Sequence, residues 1–275
     1  MKHLTEKLII VRGGGDLATG TIYKLKKCGF PVLILEVAKP TAIRRNVAFC
    51  EAVYEGTQTV EDMTCHKAEN LVQAISFLEE GKLTVLVDPA GSCISELKPL
   101  AVVDAILAKK NLGTNRAMAP ITVALGPGFT ADRDVDAVIE TKRGHNLGRV
   151  LWNGSAAPNT GIPGEIGGYN RERVIHCPAA GTLRNRKRIT DAVRKGDVIA
   201  VVETENGNIP VEATLDGILR GLIRDGYCVT KNFKIADIDP RMDEYDNCFT
   251  ISDKARCIGG GVLEVILQRK GELGL

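Results

Sequence analysis

Three consecutive glycines, Gly13-Gly14-Gly15, with Thr19 one turn further on, are the residues best placed to do chemistry. Gly13, Gly15 and Ala18 fit the pattern G-x-G-x-x-A. The pattern follows the apolar run Leu8-Ile9-Ile10-Val11 and opens a helical pattern that continues to Lys27. Glycines at such a turn let a pyrophosphate approach the backbone, and the helix N-terminus behind it offers free N–H groups and a positive dipole end. Glu36 ends the next apolar run, Pro31 to Val37, where a carboxylate accepts hydrogen bonds from a ribose diol. Gly13, Gly14, Gly15, Thr19 and Glu36 are therefore the candidate cofactor-binding residues. The alternative is a tight turn that binds nothing, and Asp16 would crowd a pyrophosphate.

Weaker candidates lie at the ends of later apolar runs. Asp88 follows Leu83 to Val87, in Asp88-Pro89-Ala90-Gly91-Ser92-Cys93, as a base, a cation ligand or simply an Asp-Pro turn. Arg143 and His145 come after Gly126-Pro127-Gly128-Phe129, either as an anion site or as an exposed charged turn. Asp88, Arg143 and His145 are the candidate catalytic residues. Asp132, Asp134 and Asp136 alternate but lack the glycine and terminal glutamate of a calcium loop, so no metal is expected. The eight cysteines form no C-x-x-C pair, which argues against a zinc ribbon and favours reduced thiols.

These residues need a scaffold. Apolar runs without alternation, separated by helical patterns over 16–27, 69–79 and 97–109, predict an α/β domain with a Rossmann-like parallel sheet across residues 1–134. Residues 135–172 read as a Gly/Pro-rich connection. Short strand-like runs across 173–238 predict a small all-β unit, with Gly196-Asp197-Val198 and Asp216-Gly217-Ile218 set like the turns of a biotinyl/lipoyl-like barrel-sandwich. The hairpin tip Thr204 to Asn208 lacks the lysine of a swinging carrier, so a scaffold or docking role is expected. Residues 239–275 are read as a C-terminal helical segment, with Gly259-Gly260-Gly261 in its middle.

Composition narrows the function classes. Of 275 residues, 44% are hydrophobic and 25% charged, the balance of a folded globular chain, and the formal charge of +2 creates no field for nucleic acid or an anionic membrane. Aromatic residues at 4% argue against a base-stacking RNA binder. With neither a signal peptide nor a spanning segment in view, the expected location is the cytoplasm, and a homodimer is the common assembly.

Several segments occur together in order: Arg12 to Gly20, Gly126 to Phe129 with Asp134 to Thr141, Arg143 to His145 with Leu147 to Val150, Pro158 to Gly161, and Asp237 to Arg241. Their combination resembles the YqeB-like family of selenium-dependent molybdenum hydroxylase system proteins across almost the whole chain. The resemblance implies an accessory or maturation role, with an apo molybdenum hydroxylase as partner and a nucleotide or molybdopterin-type cofactor on the glycine turn. The candidate cofactors are then molybdopterin dinucleotide or NAD(P). The alternatives are an NAD(P)-dependent oxidoreductase and a non-catalytic adaptor that docks a hydroxylase. No catalytic role is carried over from the resemblance.

Overall fold

The computed structural model describes residues 2–161 and 164–275. The chain divides into two compact units. Unit 1 comprises residues 1–40, 48–159 and 251–275; unit 2 comprises residues 41–47 and 160–250.

Unit 1 is built on one sheet of nine strands: β1 (Ile9–Arg12), β2 (Val32–Glu36), β3 (Thr57–Val60), β4 (Met63–Ala68), β5 (Leu83–Val87), β6 (Ala101–Asp104), β7 (Ile121–Leu125), β8 (Ala137–Ile139) and β9 (Val150–Leu151). They lie in the order β3-β4-β5-β2-β1-β6-β7-β8-β9. Pairing is parallel from β4 across to β8, while β3 and β9 run antiparallel at the two edges. The helical segments are α1 (Lys2–Thr5), α2 (Asp16–Lys27), α3 (Ala52–Glu55), α4 (Leu71–Glu79), α5 (Ile94–Leu97) and α6 (Asp253–Leu273).

The expected Rossmann-like parallel sheet is thus corrected to a mixed sheet. The clearest local departure is at 97–109, where the apolar spacing predicted one helix. The chain instead turns at Lys98, in the left-handed region, and enters β6. All four residues of β6 are buried, between β1 and β7, so this segment has no solvent face for an amphipathic helix to present. The β3–β4 hairpin leaves no mark in the hydropathy pattern because Thr57, Gln58 and Thr59 carry no apolar run.

One buried cluster joins Leu8, Ile10, Leu33, Leu35, Leu86 and Val102 to Ala74 and Leu78 of α4. Asn70 caps α4 by accepting a hydrogen bond from the Gln73 N–H at 2.9 Å. On the other side, α6 lies along α2. Gly20 faces Ala255, Gly259 faces Gly20 and Thr21, and Gly260 faces Lys24, so the two helices run the same way and their N-termini emerge together. The glycines in α6 are small because backbone is their neighbour: a Cβ on Gly259 would stand 2.8 Å from the Gly20 carbonyl oxygen, and one on Gly261 2.4 Å from that of Gly148.

Unit 2 carries β10 (Val174–His176), β11 (Gly181–Asn185), β12 (Ala192–Val193), β13 (Val198–Thr204), β14 (Gly207–Glu212), β15 (Gly217–Leu222), β16 (Cys228–Val229) and β17 (Lys234–Asp239). They form two antiparallel sheets, β10-β17-β15-β12 and β14-β13-β11-β16, over a core that includes Leu183, Val202, Leu219, Leu222 and Ile238. Each sheet keeps two unpaired edges, and this arrangement replaces the expected barrel-sandwich of biotinyl/lipoyl type. A buried Arg173 donates to Asp237 and to the carbonyls of Ile238 and Gly164. Arg220 and Arg241 converge on the buried Asp239.

No described helix is long and apolar enough to cross a membrane.

Candidate functional site

The sheet order reverses direction at β1, which has β2 on one side and β6 on the other. In open α/β sheets the crevice beyond the carboxyl ends of the strands at such a point is where ligands sit. Gly13 follows β1 there, at φ +95°, and a Cβ on it would stand 2.9 Å from the carbonyl oxygen of Ala105, which follows β6. Only glycine fits both the conformation and the contact.

The protein itself occupies much of the glycine turn. The Gly14 N–H donates to Glu36 Oε1 at 2.7 Å, and the Val37 N–H donates to Oε2 at 2.8 Å. The carboxylate expected to meet a ribose is therefore spent on the backbone. Burial raises the pKa of Glu36, and the two N–H donors pull it back in part. The Gly14 carbonyl accepts from the Cys50 N–H at 2.9 Å, and a Cβ on Gly14 would meet that nitrogen at 3.0 Å. Residues 48–51 thus cover Gly14. Thr19, fully buried, donates to the Gly15 carbonyl at 3.0 Å and accepts from the Phe49 N–H at 3.1 Å. Its hydroxyl braces the turn instead of facing a ligand.

Gly15 is different. It is the N-cap of α2 in an extended conformation, it supplies no side-chain cap, and a Cβ on it would meet nothing within 4 Å. Among the described residues, the backbone N–H groups of Gly15, Leu17 and Ala18 have no hydrogen-bond acceptor. The open end of the turn is a row of free donors at a helix N-terminus.

Beside it stands a residue absent from the sequence-derived candidates. Lys254 is the second residue of α6, half-buried, and makes no hydrogen bond or ion pair among the described residues. Burial and the neighbouring Arg143 lower its pKa, while Asp16, Glu140 and Asp253 act in the opposite direction. Glu140 is held by the Lys142 N–H at 2.7 Å and the Ala157 N–H at 2.8 Å. No motif contains Lys254, and only the pairing of α2 with α6 brings it to this end of the sheet.

The other candidates lie apart. Asp88 follows β5 and accepts from the Ser92 and Cys93 N–H groups at 3.0 and 2.9 Å. Partial burial pushes its pKa up, but these bonds outweigh burial and leave it lowered. Arg143 and His145 follow β8, five strand spacings from β5, which is about 24 Å across the sheet. Asp88 therefore shares no site with them. Arg143 is engaged with Asp253 through two bonds of 2.6 and 3.0 Å, and His145 is exposed on the surface.

A buried polar network supports the β1–β6 end. Arg12 donates to Thr114 Oγ1 at 2.5 Å and to the Pro89 carbonyl at 3.0 Å, and Thr114 donates to Asp104 Oδ2 at 2.6 Å. Arg12, Asp104 and Thr114 are all almost completely buried. The loop after β6 places Leu107 and Lys109 at φ +58° and +61°, an arrangement side chains adopt only when the surroundings impose it. Its backbone at Lys109 and Lys110 lies against Gly128. Among the described residues, no group of three or more His, Cys, Asp or Glu side chains is placed to hold a metal.

No family model matches the chain. Solved structures to which the chain shows some similarity include a succinylglutamate desuccinylase/aspartoacylase from Rhodobacter sphaeroides, at 13% identity over 85% of this chain and 86% of that one, with a TM-score of 0.28. An aspartoacylase family protein from Mesorhizobium loti matches at 11% identity over 84% of each chain, with a TM-score of 0.27. The ectoine utilization protein EutE (DoeB) from Ruegeria pomeroyi matches at 13% identity over 84% of this chain and 56% of that one, with a TM-score of 0.24. Similarity this low carries no argument toward the chemistry of those proteins. The expectation of a molybdenum hydroxylase accessory protein, with its oxidoreductase and adaptor alternatives, is accordingly corrected: neither the structural matches nor the sequence relative supports it. That relative is a protein of Escherichia coli (strain K12) described as uncharacterized protein YqeB, 52% identical over 263 residues. The alignment takes in 95% of this chain but 48% of the relative, so the chain spans about half the length of the protein it matches. Over nearly all of its own length, then, the chain is similar to about half of that Escherichia coli protein.

Proposed function

We propose that unit 1 recognises a small anion, a carboxylate or a phosphate group, at the uncapped N-terminus of α2, with Lys254 as the counter-cation. The observation that carries this reading is the set of N–H groups at Gly15, Leu17 and Ala18 without an acceptor among the described residues, with open space where a Gly15 side chain would stand. Backbone donors left without an acceptor are costly unless water or a ligand meets them. An anion there gains charge-assisted hydrogen bonds and the favourable end of the helix dipole. Lys254 has no partner of its own among the described residues, so pairing with a ligand breaks nothing. Glu36 and Cys50 hold the Gly14 side shut, which favours a compact acid group over a group that must thread along the whole turn.

Calorimetric titration with inorganic phosphate tests the reading. Gly15 has φ −65° and ψ 178°, the conformation an N-cap aspartate adopts. Gly15→Asp supplies an internal carboxylate to the same donors. It should raise stability by a few tenths of a kcal/mol and weaken phosphate binding at least tenfold. Lys254→Met should weaken it by a similar factor. Phosphate binding that survives both substitutions would place the anion elsewhere and end the proposal.

A further inference from the structure

At the amino end of the sheet in unit 1 lies an open groove of about 400 Å³, a volume within the range of small-ligand sites. Its floor is apolar: Leu4 of α1, Pro31 just before β2 and Leu78 of α4. Leu78 belongs to a buried core cluster and Leu4 packs against the same cluster, so the floor is held by the core. Two lysines stand at the rim, Lys7 and Lys26, with Glu79 as the one acid among the lining residues.

Lys26 sets the chemistry of the groove. It is half-buried in the last turn of α2, and its Nζ donates to the Gly81 carbonyl at 2.7 Å. An ammonium has three donors, so this bond fixes Nζ and leaves two N–H groups for another acceptor. No carboxylate pairs with it among the described residues. Burial lowers its pKa, and no anion acts in the opposite direction. A partly desolvated cation without a counter-ion gains when one arrives. The side chain of Lys7 likewise makes no hydrogen bond or ion pair among the described residues. Gly29 and Gly81, both at positive φ, have open space where a side chain would stand and leave the approach clear.

We propose that this groove binds a short aliphatic carboxylate, its acid group on Lys26 and Lys7 and its hydrocarbon chain along Leu4, Pro31 and Leu78. Glu79 at the rim repels a second acid group, so a monocarboxylate fits better than a diacid. The groove is distinct from the glycine turn. Lys7, Pro31 and Gly81 precede β1, β2 and β5, whereas Gly13, Glu36 and Asp88 stand at the carboxyl ends of the same strands. Eleven residues of α2, about 17 Å along its axis, separate Lys26 from Gly15. Binding here is therefore independent of an anion at the N-terminus of α2.

The test is a titration of 15N-labelled protein with hexanoate, read by amide NMR shifts, with acetate and hexylamine as comparisons. The expected result is saturable shifts at Lys26, Gly29 and Gly81. Hexanoate should bind about tenfold more tightly than acetate because several methylenes leave water, and hexylamine should give no saturable shifts there. Lys26→Met keeps the stem and removes the ammonium, and should weaken hexanoate about tenfold; Lys26→Arg should restore most of the loss. No saturable shifts at these residues, or equal binding of hexanoate and hexylamine, would overturn the site. So would equal binding of hexanoate and acetate, which would remove the apolar floor. Shifts centred on Gly15 would assign the carboxylate to the N-terminus of α2 and overturn the groove. The map on the wild-type chain decides these outcomes even if Lys26→Met folds poorly.

Discussion

The glycine triplet of α6 should split in sign when each residue is replaced by alanine. In an exposed helix interior, Gly→Ala gains about 1 kcal/mol from backbone entropy. Gly260 is half-buried but comes close to this case, since its Cβ would meet only Lys24 Nζ, at 3.6 Å, the mobile end of a long side chain. Gly260→Ala should therefore stabilise by about 1 kcal/mol. Gly261 offers no such freedom. Its Cβ would lie 2.4 Å from the Gly148 carbonyl oxygen, and backbone cannot rotate aside. Overpacking of this kind costs about 3 kcal/mol, which leaves a net loss of about 2 kcal/mol after the propensity gain. Gly259, at 2.8 Å from the Gly20 carbonyl oxygen, falls between these two but on the losing side. At about 2–4 °C per kcal/mol in a chain of this size, Gly260→Ala should raise Tm by about 2–4 °C and Gly261→Ala lower it by about 4–8 °C. Urea denaturation would give the same ranking. If all three substitutions shift stability the same way, the packing of α6 against Gly20 and Gly148 is wrong.

Three further outcomes follow from hydrogen-bonded polar side chains. Because burial raises the Glu36 pKa, the native state holds that proton more tightly than the unfolded chain. Its contribution to stability is complete below the ordinary carboxylate value and is lost as pH rises through the folded pKa. Glu36→Gln should thus flatten the decline in stability as pH rises above the ordinary carboxylate value of about 4.3, and an unchanged slope in urea titrations at each pH would contradict it. Asp104→Ala leaves the buried Arg12 without its carboxylate and should cost about 3–5 kcal/mol, read by denaturation; a loss below about 1 kcal/mol would mean the network is dispensable. Asn70→Ala removes the side-chain oxygen that accepts from the Gln73 N–H and should cost about 1 kcal/mol, measured by the same assay.

The sequence disclosed the parts of the fold that repeat a simple period. The runs at 8–11, 31–37, 83–87 and 121–125 became β1, β2, β5 and β7, and Gly13 does stand at a tight turn before a helix. Period failed where a short apolar stretch had two readings. Leu100, Val103, Ile106 and Leu107 fit a helix face, yet Ala101–Asp104 is a strand because β1 and β7 lie on either side of it. At the candidate site the turn was legible, but its occupants were not. Nothing in the local sequence says that Cys50 closes over Gly14 or that Glu36 bends back onto it, since both contacts join residues far apart in the chain. Lys254 was invisible for the same reason. Its importance comes from desolvation and from Asp16 and Glu140, which lie more than a hundred residues away in sequence.

The pairing of α2 with α6 also bears on how the chain must fold during synthesis. About 225 residues separate the end of α2 from the start of α6. At ribosomal rates of about 5–20 residues per second, the apolar flank of α2 waits roughly 10–45 s for its partner. Unit 1 is interrupted twice in that interval by segments belonging to unit 2. Its sheet therefore emerges long before the helix that packs along α2, and Gly20 and Thr21 wait uncovered on that side throughout. A nascent chain stalled at residue 250 would present that uncovered face to chaperones, and a chain released before α6 is made would lack the helix that packs against Gly20 and Gly148.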